Sequence, residues 1–208
     1  MKIIAHRGND EINRENSIIG ILNSLDKKYV DGVEFDIRVT RDFKFVIHHD
    51  PFYKGHLIKS TSLKKLRKLG LNSLEDLLIR IKSKKIILIE IKEESRIYRI
   101  QLARLNRILK KYNLNYYVFS FNYDLMKYFK KKYPNIKNGL LIGVKKNLDK
   151  INNDFNFNGV NYRHAYKSLN KETFIWTINT KEEYENVLEN QNIITDKAKF
   201  IYDLVHKN

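Results

Sequence analysis

The chain has 208 residues, 42% hydrophobic and 12% aromatic, with 2 Pro and 8 Gly; this excludes a disordered segment, a linker and a fibrous repeat, and fits one domain with a sizeable core. It has no cysteine, which excludes a disulfide framework, a thiolate-ligated zinc or iron–sulfur centre and thiol catalysis. Lys+Arg 40 against Asp+Glu 24 gives a net charge of +16, for which nucleic-acid binding, attraction to anionic lipids or phosphate substrates, and compositional drift toward lysine are competing causes.

The first predicted strand, 2–6, runs into His6-Arg7-Gly8. That tripeptide combines a titratable imidazole, a guanidinium fork suited to phosphate, and a residue that lets backbone approach a ligand. Charge appears too early here for a signal peptide, and no stretch of the chain approaches the ~20 apolar residues of a membrane span, so a soluble, cytoplasmic protein is expected. Asn16-Ser17 then opens a helical run to Tyr29. The second strand, 32–39, carries Glu34 and Asp36 two residues apart, so the pleat turns both carboxylates to one face and Val33, Phe35 and Ile37 to the other. The repulsion between them is relieved either by some of the many lysines or by a hard divalent cation, and the apolar flanks favour the cation. In the hairpin partner, 43–49, alternation puts His49 with Phe45 and Ile47 on one face and His48 on the other.

Residues 50–62 form the most irregular stretch. Ser73 with Asp76 resembles a capping box ahead of Leu74, Leu77 and Leu78. Strand 85–91 is apolar but for Glu90, with Lys92 following on the same face; a carboxylate in such a strand needs a partner, and a metal or Lys92 itself would serve. Strands at 116–121, 139–143, 159–162, 174–178 and 192–195 complete the series, with a helical run from Thr180 to Asn190 before the last. The basic clusters (Lys64-Lys65 with Arg67-Lys68, Lys82 with Lys84-Lys85, Lys130-Lys131-Lys132, Lys145-Lys146) are short and scattered, the pattern of solvated helix faces rather than of a nucleic-acid-binding arm.

Counting the hairpin as one unit gives about eight βα repeats, the number that closes an α/β TIM (β/α)8 barrel, here a single domain over residues 1–208. In such a barrel the reacting groups come from the C-terminal ends of the strands. His6, Arg7, Glu34, Asp36, His49, Glu90 and Lys92 all fall there. Together they are what phosphodiester cleavage requires: carboxylates for a metal, cations for phosphate oxygens, and two imidazoles to take and give protons.

These residues resemble the glycerophosphodiester phosphodiesterase family, in segments that follow the family order along the whole chain: AHRG at 5–8, ENS at 15–17, DGVEFDIRVTRD at 31–42, FVIHHD at 45–50, NSLEDLL at 72–78, ILIEIK at 87–92, VFSFN at 118–122, FIWTINT at 174–180 and IITD at 193–196. The resemblance implies a TIM barrel and metal-dependent hydrolysis of glycerophosphodiesters to sn-glycerol 3-phosphate and an alcohol. It implies His6 and His49 as the general acid–base pair, Glu34, Asp36 and Glu90 as ligands of Mg²⁺ or Ca²⁺, and Arg7 and Lys92 as phosphate-binding groups. Trp176 is a wall of the glycerol pocket or a core side chain. His48, His56 and His206 are expected to be structural or solvated, and the role of His164 stays open.

The chain departs from the family at Arg14-Glu15-Asn16-Ser17 and at Thr195-Asp196-Lys197-Ala198, both loop or cap positions. It also has a short stretch between His49 and Glu90, where many relatives carry an inserted cap. The reduced cap makes lysophospholipids candidate substrates beside small glycerophosphodiesters. A lysophospholipase D-like or cyclic-phosphate-forming lyase on the same fold is one alternative, and a non-catalytic basic protein binding nucleic acid or membranes is another. With Arg7 and Lys92 accounting for phosphate recognition, no nucleic-acid partner is expected; most of the excess charge is read as compositional drift, aided by steering of anionic substrates, with weak contact with an anionic membrane as a further partner.

Overall fold

The structure is a computed structural model that describes residues 1–9, 11–92, 98–143, 154–164 and 171–206. Its strands are β1 (Ile3–Ala5), β2 (Gly32–Val39), β3 (Phe45–Ile47), β4 (Phe52–Tyr53), β5 (His56–Leu57), β6 (Ile86–Ile91), β7 (Tyr116–Ser120), β8 (Lys137–Ile142), β9 (Phe157–Asn161), β10 (Glu172–Trp176) and β11 (Asn192–Thr195). Its helices are α1 (Ile18–Asp26), α2 (Leu63–Lys68), α3 (Leu74–Leu78), α4 (Tyr98–Tyr112), α5 (Tyr123–Lys132), α6 (Lys181–Tyr184) and α7 (Ala198–Val205). Strands β1, β2 and β6 to β11 pair in parallel, and the sheet closes where β1 bonds to both β2 and β11. The result is the expected single-domain TIM barrel, with β3 added antiparallel to β2.

Alternation along the strands sorts the core into two shells. Val33, Phe35 and Ile37 of β2 and Ile87, Ile89 and Ile91 of β6 face outward into the layer shared with the helices. Inside the barrel, Leu88, Tyr117, Phe119, Phe157, Phe174 and Ile194 form a separate apolar plug. Rings of this size fit only because glycines stand opposite some of them. A Cβ at Gly139 would lie 2.5 Å from the Phe157 ring. Gly139→Ala is therefore expected to lower unfolding free energy by about 1–3 kcal/mol through overpacking, measured by chemical denaturation; an unchanged midpoint would mean that the plug yields.

Local sequence signals account for the helix starts. The Ser73 hydroxyl accepts from the Asp76 backbone N–H while the Asp76 carboxylate accepts from Ser73 N, a full capping box at α3, and Thr180 with Glu183 repeats it at α6. Several boundaries differ from the expectation. β1 stops at Ala5, because His6–Gly8 turns in a 3₁₀ bend with Arg7 and Gly8 at φ 52° and 60°. α1 ends at Asp26 rather than Tyr29, since Lys27 is extended and bonds back to Ser24. α6 ends at Tyr184 rather than Asn190, capped by Glu185 N–H on Lys181 O, and a separate turn follows in which Gln191 Oε1 accepts from Leu188 N. The 50–62 stretch is more ordered than expected. Its β4–β5 hairpin places His56 opposite Tyr53, and Tyr53 and Ile58 pack with Val46, Leu66 and Leu71 in a satellite core. Nothing larger than this hairpin and one 3₁₀ turn stands where a cap would be inserted. Lys145 and Lys146 lie outside the described residues. Among the described residues, no helix is long and apolar enough to cross a membrane.

Candidate active site

Strand register brings the site together. Ala5 is level with Val33 of β2 and Thr195 of β11, so the residue after each strand position, His6, meets Glu34 on one side and Asp196 on the other. Asp36 is directly beside Glu90 in the β2–β6 pair. Inward-facing positions above the aromatic plug are thus acidic on β2 and β6. These carboxylates are almost wholly buried, Glu34 at 2%, Asp36 at 1% and Glu90 at 8% exposure.

Three buried acids need compensation. The Lys92 ammonium lies 2.6 Å from Glu90 Oε1 and 3.3 Å from Asp36 Oδ1. Asn16 brackets Asp36, its Nδ2 donating to Oδ2 at 2.8 Å and its Oδ1 accepting from Asp36 N at 3.0 Å. Arg7 Nε sits 3.6 Å from Asp36 Oδ2, and Arg7 Nη1 donates to both carboxylate oxygens of Glu15 at 3.0 and 2.9 Å. Glu34 has a weaker set: it accepts from the Arg7 backbone N–H at 2.9 Å and lies 3.9 Å from His6 Nε2. The left-handed turn at Arg7 aims that N–H. It is possible because Gly8 follows; a Cβ there would sit 2.3 Å from Ile21 Cγ1.

The uneven compensation sets the titration. Burial, with Asp36 and Glu90 adding repulsion, raises Glu34 well above the usual carboxylate range. Burial and Asp36 push Glu90 up to about 7 despite Lys92. For Asp36, burial also raises the value, but Lys92, the Asn16 hydrogen bond and Arg7 together outweigh it and hold the group lowered. Two cations against three buried acids is an incomplete balance. One oxygen from each of Glu34, Asp36 and Glu90 lies within 4.8 Å of the others, the separation expected for hard oxygen donors at about 2.0–2.6 Å around one cation. The donor set therefore fits a hard divalent cation.

Each histidine at the mouth is paired to an acid. His6 Nδ1 is 2.8 Å from Asp196 Oδ1, and His49 Nδ1 is 2.7 Å from Asp50 Oδ1. Arg38 ties the ends of β2's neighbours, donating from Nε to His49 O at 2.7 Å and from Nη1 to Lys92 O at 3.2 Å. His48 points the other way: its Nε2 is 3.1 Å from Phe52 O, and its ring meets Tyr53 edge-on. His206 stacks on Tyr202 at 4.0 Å, and His164 lies in a 3₁₀ turn after β9.

All eight residues singled out in the sequence (His6, Arg7, Glu34, Asp36, His49, Glu90, Lys92 and Trp176) line one cavity of about 200 Å³. Trp176 belongs both to the cavity wall and to the edge of the aromatic plug, and Phe121 packs against it at 5.7 Å. Sequence reasoning assigned no role in the site to Asn16, Glu15, Phe121, Asn179 or Asp196. Four of these five stand in motif segments quoted for their likeness, ENS, FIWTINT and IITD, and Phe121 in VFSFN; the motifs were the available signal.

Residues 6–199 match the model of the Glycerophosphoryl diester phosphodiesterase family. Over the full length, the chain is 26% identical to a glycerophosphodiester phosphodiesterase from Caldanaerobacter subterraneus subsp. tengcongensis, covering 99% of this chain and 98% of that one. Its fold is that of the glycerophosphodiester phosphodiesterase of Thermotoga maritima, with a TM-score of 0.81 at 24% identity and 97% coverage of each chain. It is also that of an Oleispira antarctica phosphodiesterase crystallised with the product sn-glycerol-3-phosphate, with a TM-score of 0.82 at 18% identity, covering 99% of this chain and 96% of that one.

Proposed function

Because the chain belongs to the glycerophosphoryl diester phosphodiesterase family, we propose that its 1–208 domain hydrolyses glycerophosphodiesters to sn-glycerol 3-phosphate and an alcohol. In this reading Glu34, Asp36 and Glu90 hold Mg²⁺ or Ca²⁺, and His6 and His49 are the acid–base pair. The observation that carries it is the convergence of two imidazoles, two cations and three buried carboxylates on one cavity at the C-terminal end of the barrel.

A bound divalent cation would neutralise charge on the phosphoryl group and polarise it toward attack. Arg7 and Lys92 hold the non-bridging oxygens, exchanging part of their present contact with Glu15, Asp36 and Glu90 for phosphate. With Nδ1 of each ring engaged by an aspartate, Nε2 is the nitrogen each histidine turns to substrate. One imidazole removes the proton from the attacking hydroxyl and the other protonates the departing alkoxide. Trp176 and Phe121 form an apolar wall for the glycerol carbons. With only the β4–β5 hairpin and one 3₁₀ turn at the cap position, lysophospholipids are candidate substrates beside small headgroups.

The test is a substrate panel of glycerophosphocholine, glycerophosphoethanolamine, glycerophosphoglycerol and lysophospholipids, run with Mg²⁺ and with Ca²⁺. Release of glycerol 3-phosphate is expected from the first three at least. No release by folded, metal-supplied protein would overturn the reading, and a cyclic phosphate that persists by phosphorus NMR would replace hydrolysis with a lyase reaction.

A further inference from the structure

The segments FIWTINT and IITD carry two side chains, Asn179 and Asp196, of which the scheme above uses only Asp196, as the partner of His6 Nδ1. They form one hydrogen-bonded unit behind His6. Asn179 Nδ2 donates to Asp196 Oδ2 at 2.7 Å, Asn179 Oδ1 accepts from Asp196 N at 2.8 Å and from Thr195 Oγ1 at 3.1 Å, and Asp196 Oδ1 faces His6 Nδ1 at 2.8 Å. The orientation of the Asn179 amide is unambiguous. A backbone N–H can only donate, so the atom facing Asp196 N is the oxygen, and the NH₂ must face the carboxylate. Burial raises the Asp196 carboxyl, but its bond with His6, the charge of His6 and the bond from Asn179 outweigh this and lower it. The group is then a carboxylate that only accepts.

We propose that Asn179 and Asp196 act as positioning residues that lock His6 in one tautomer, with the proton on Nδ1 and the Nε2 lone pair turned into the cavity. The functional value of the lock rests on His6 being one of the acid–base pair. Its physical logic is chemical polarity along a chain of donors: backbone N–H to Asn179 oxygen, Asn179 NH₂ to Asp196 oxygen, Asp196 oxygen to His6 Nδ1–H. Reversing one link must reverse the next.

This gives a test that truncation cannot. In Asp196→Asn, the bond from Asn179 can be accepted only by the new carbonyl oxygen, so the new NH₂ faces His6 and drives the proton to Nε2. That is the wrong tautomer for a group that takes or relays a proton through Nε2. Adding Asn179→Asp restores the chain with the charge moved one link back: the amide at 196 donates outward to the carboxylate at 179, and its carbonyl again accepts from His6 Nδ1–H. We expect Asp196→Asn to lower kcat about 10²-fold or more with KM changed less than about threefold, and the double variant to recover at least tenfold of that loss.

Long-range ¹H–¹⁵N NMR of the His6 ring in metal-free protein reads the tautomer directly: Nδ1–H in the natural protein, Nε2–H in Asp196→Asn, Nδ1–H again in the double variant. An unswitched tautomer in the single variant, or a double variant no better than the single in both tautomer and kcat, would overturn the proposal. A tautomer that follows the swap while turnover stays constant supports the lock and instead removes His6 from the acid–base pair.

Discussion

Replacing either His6 or His49 with alanine is expected to lower kcat by about 10²-fold or more at saturating substrate and metal, because each removes one of the two proton transfers the reaction needs. The attacking oxygen must lose a proton and the leaving alkoxide must gain one, and in the proposed reading the two imidazoles that line the cavity supply both transfers. Glycerol 3-phosphate production by each purified variant checks this, and near-normal turnover would take that residue out of the pair. The substitutions are structurally mild. Side-chain exposures of 21% for His6 and 35% for His49 place both rings at the mouth, above the apolar plug. His48→Ala is the matched control. That ring packs on Tyr53 beneath the β4–β5 hairpin, facing away from the cavity, so its loss is expected to reduce thermal stability while leaving kcat within about twofold, as for groups outside the reacting set.

What the sequence made legible follows from which contacts are local. Two-residue periodicity put Glu34 and Asp36 on one face, and Glu90 stood out as the single charge in an otherwise apolar strand, both readable without any knowledge of the partner strand. The capping box at Ser73 was readable for the same reason, both halves lying within four residues. The supports of the site were not. Asp196 reaches His6 across 190 positions and Asn16 reaches Asp36 across 20, and each contact depends on strand register, which a single chain does not reveal. Strand ends were misplaced where side-chain chemistry rather than periodicity decides them. His6, predicted as the last strand residue, already belongs to the bend in which the left-handed Arg7 aims its N–H at Glu34. Residues 50–62 looked irregular because four strand residues divided between two arms are too few to show alternation, although Tyr53 and Ile58 are firmly buried.

The same buried acids that make the site fit a cation leave the metal-free protein with a weakness whose sign can be worked out. Glu34 and Glu90 have folded pKa values above the ordinary 4.5, Glu90 at about 7. A carboxyl of this kind binds its proton more tightly in the folded state; for Glu90 the stabilising contribution is complete below about 4.5 and disappears as pH rises through about 7. Asp36, lowered from 3.8, behaves oppositely, and its contribution is lost only on acidification below that value. A chain of net charge +16 also responds to pH through its whole surface, so the useful quantity is a difference between variants. Without metal, Glu90→Gln is expected to gain stability relative to the natural protein as pH is raised from about 4.5 to about 7, since the amide never has to ionise in the barrel. With Mg²⁺ or Ca²⁺ the order reverses. Cation and proton compete for the same carboxylates, so the metal-induced rise in Tm of the natural protein grows over this interval, while the variant shows little rise and loses turnover. Calorimetric melts of both proteins, with chelator and with added metal, measure all four curves. If the chelated curves stay parallel across the interval, the pH-dependent stability cost assigned to Glu90 is wrong; if the variant retains the full metal-induced rise, Glu90 is not a ligand.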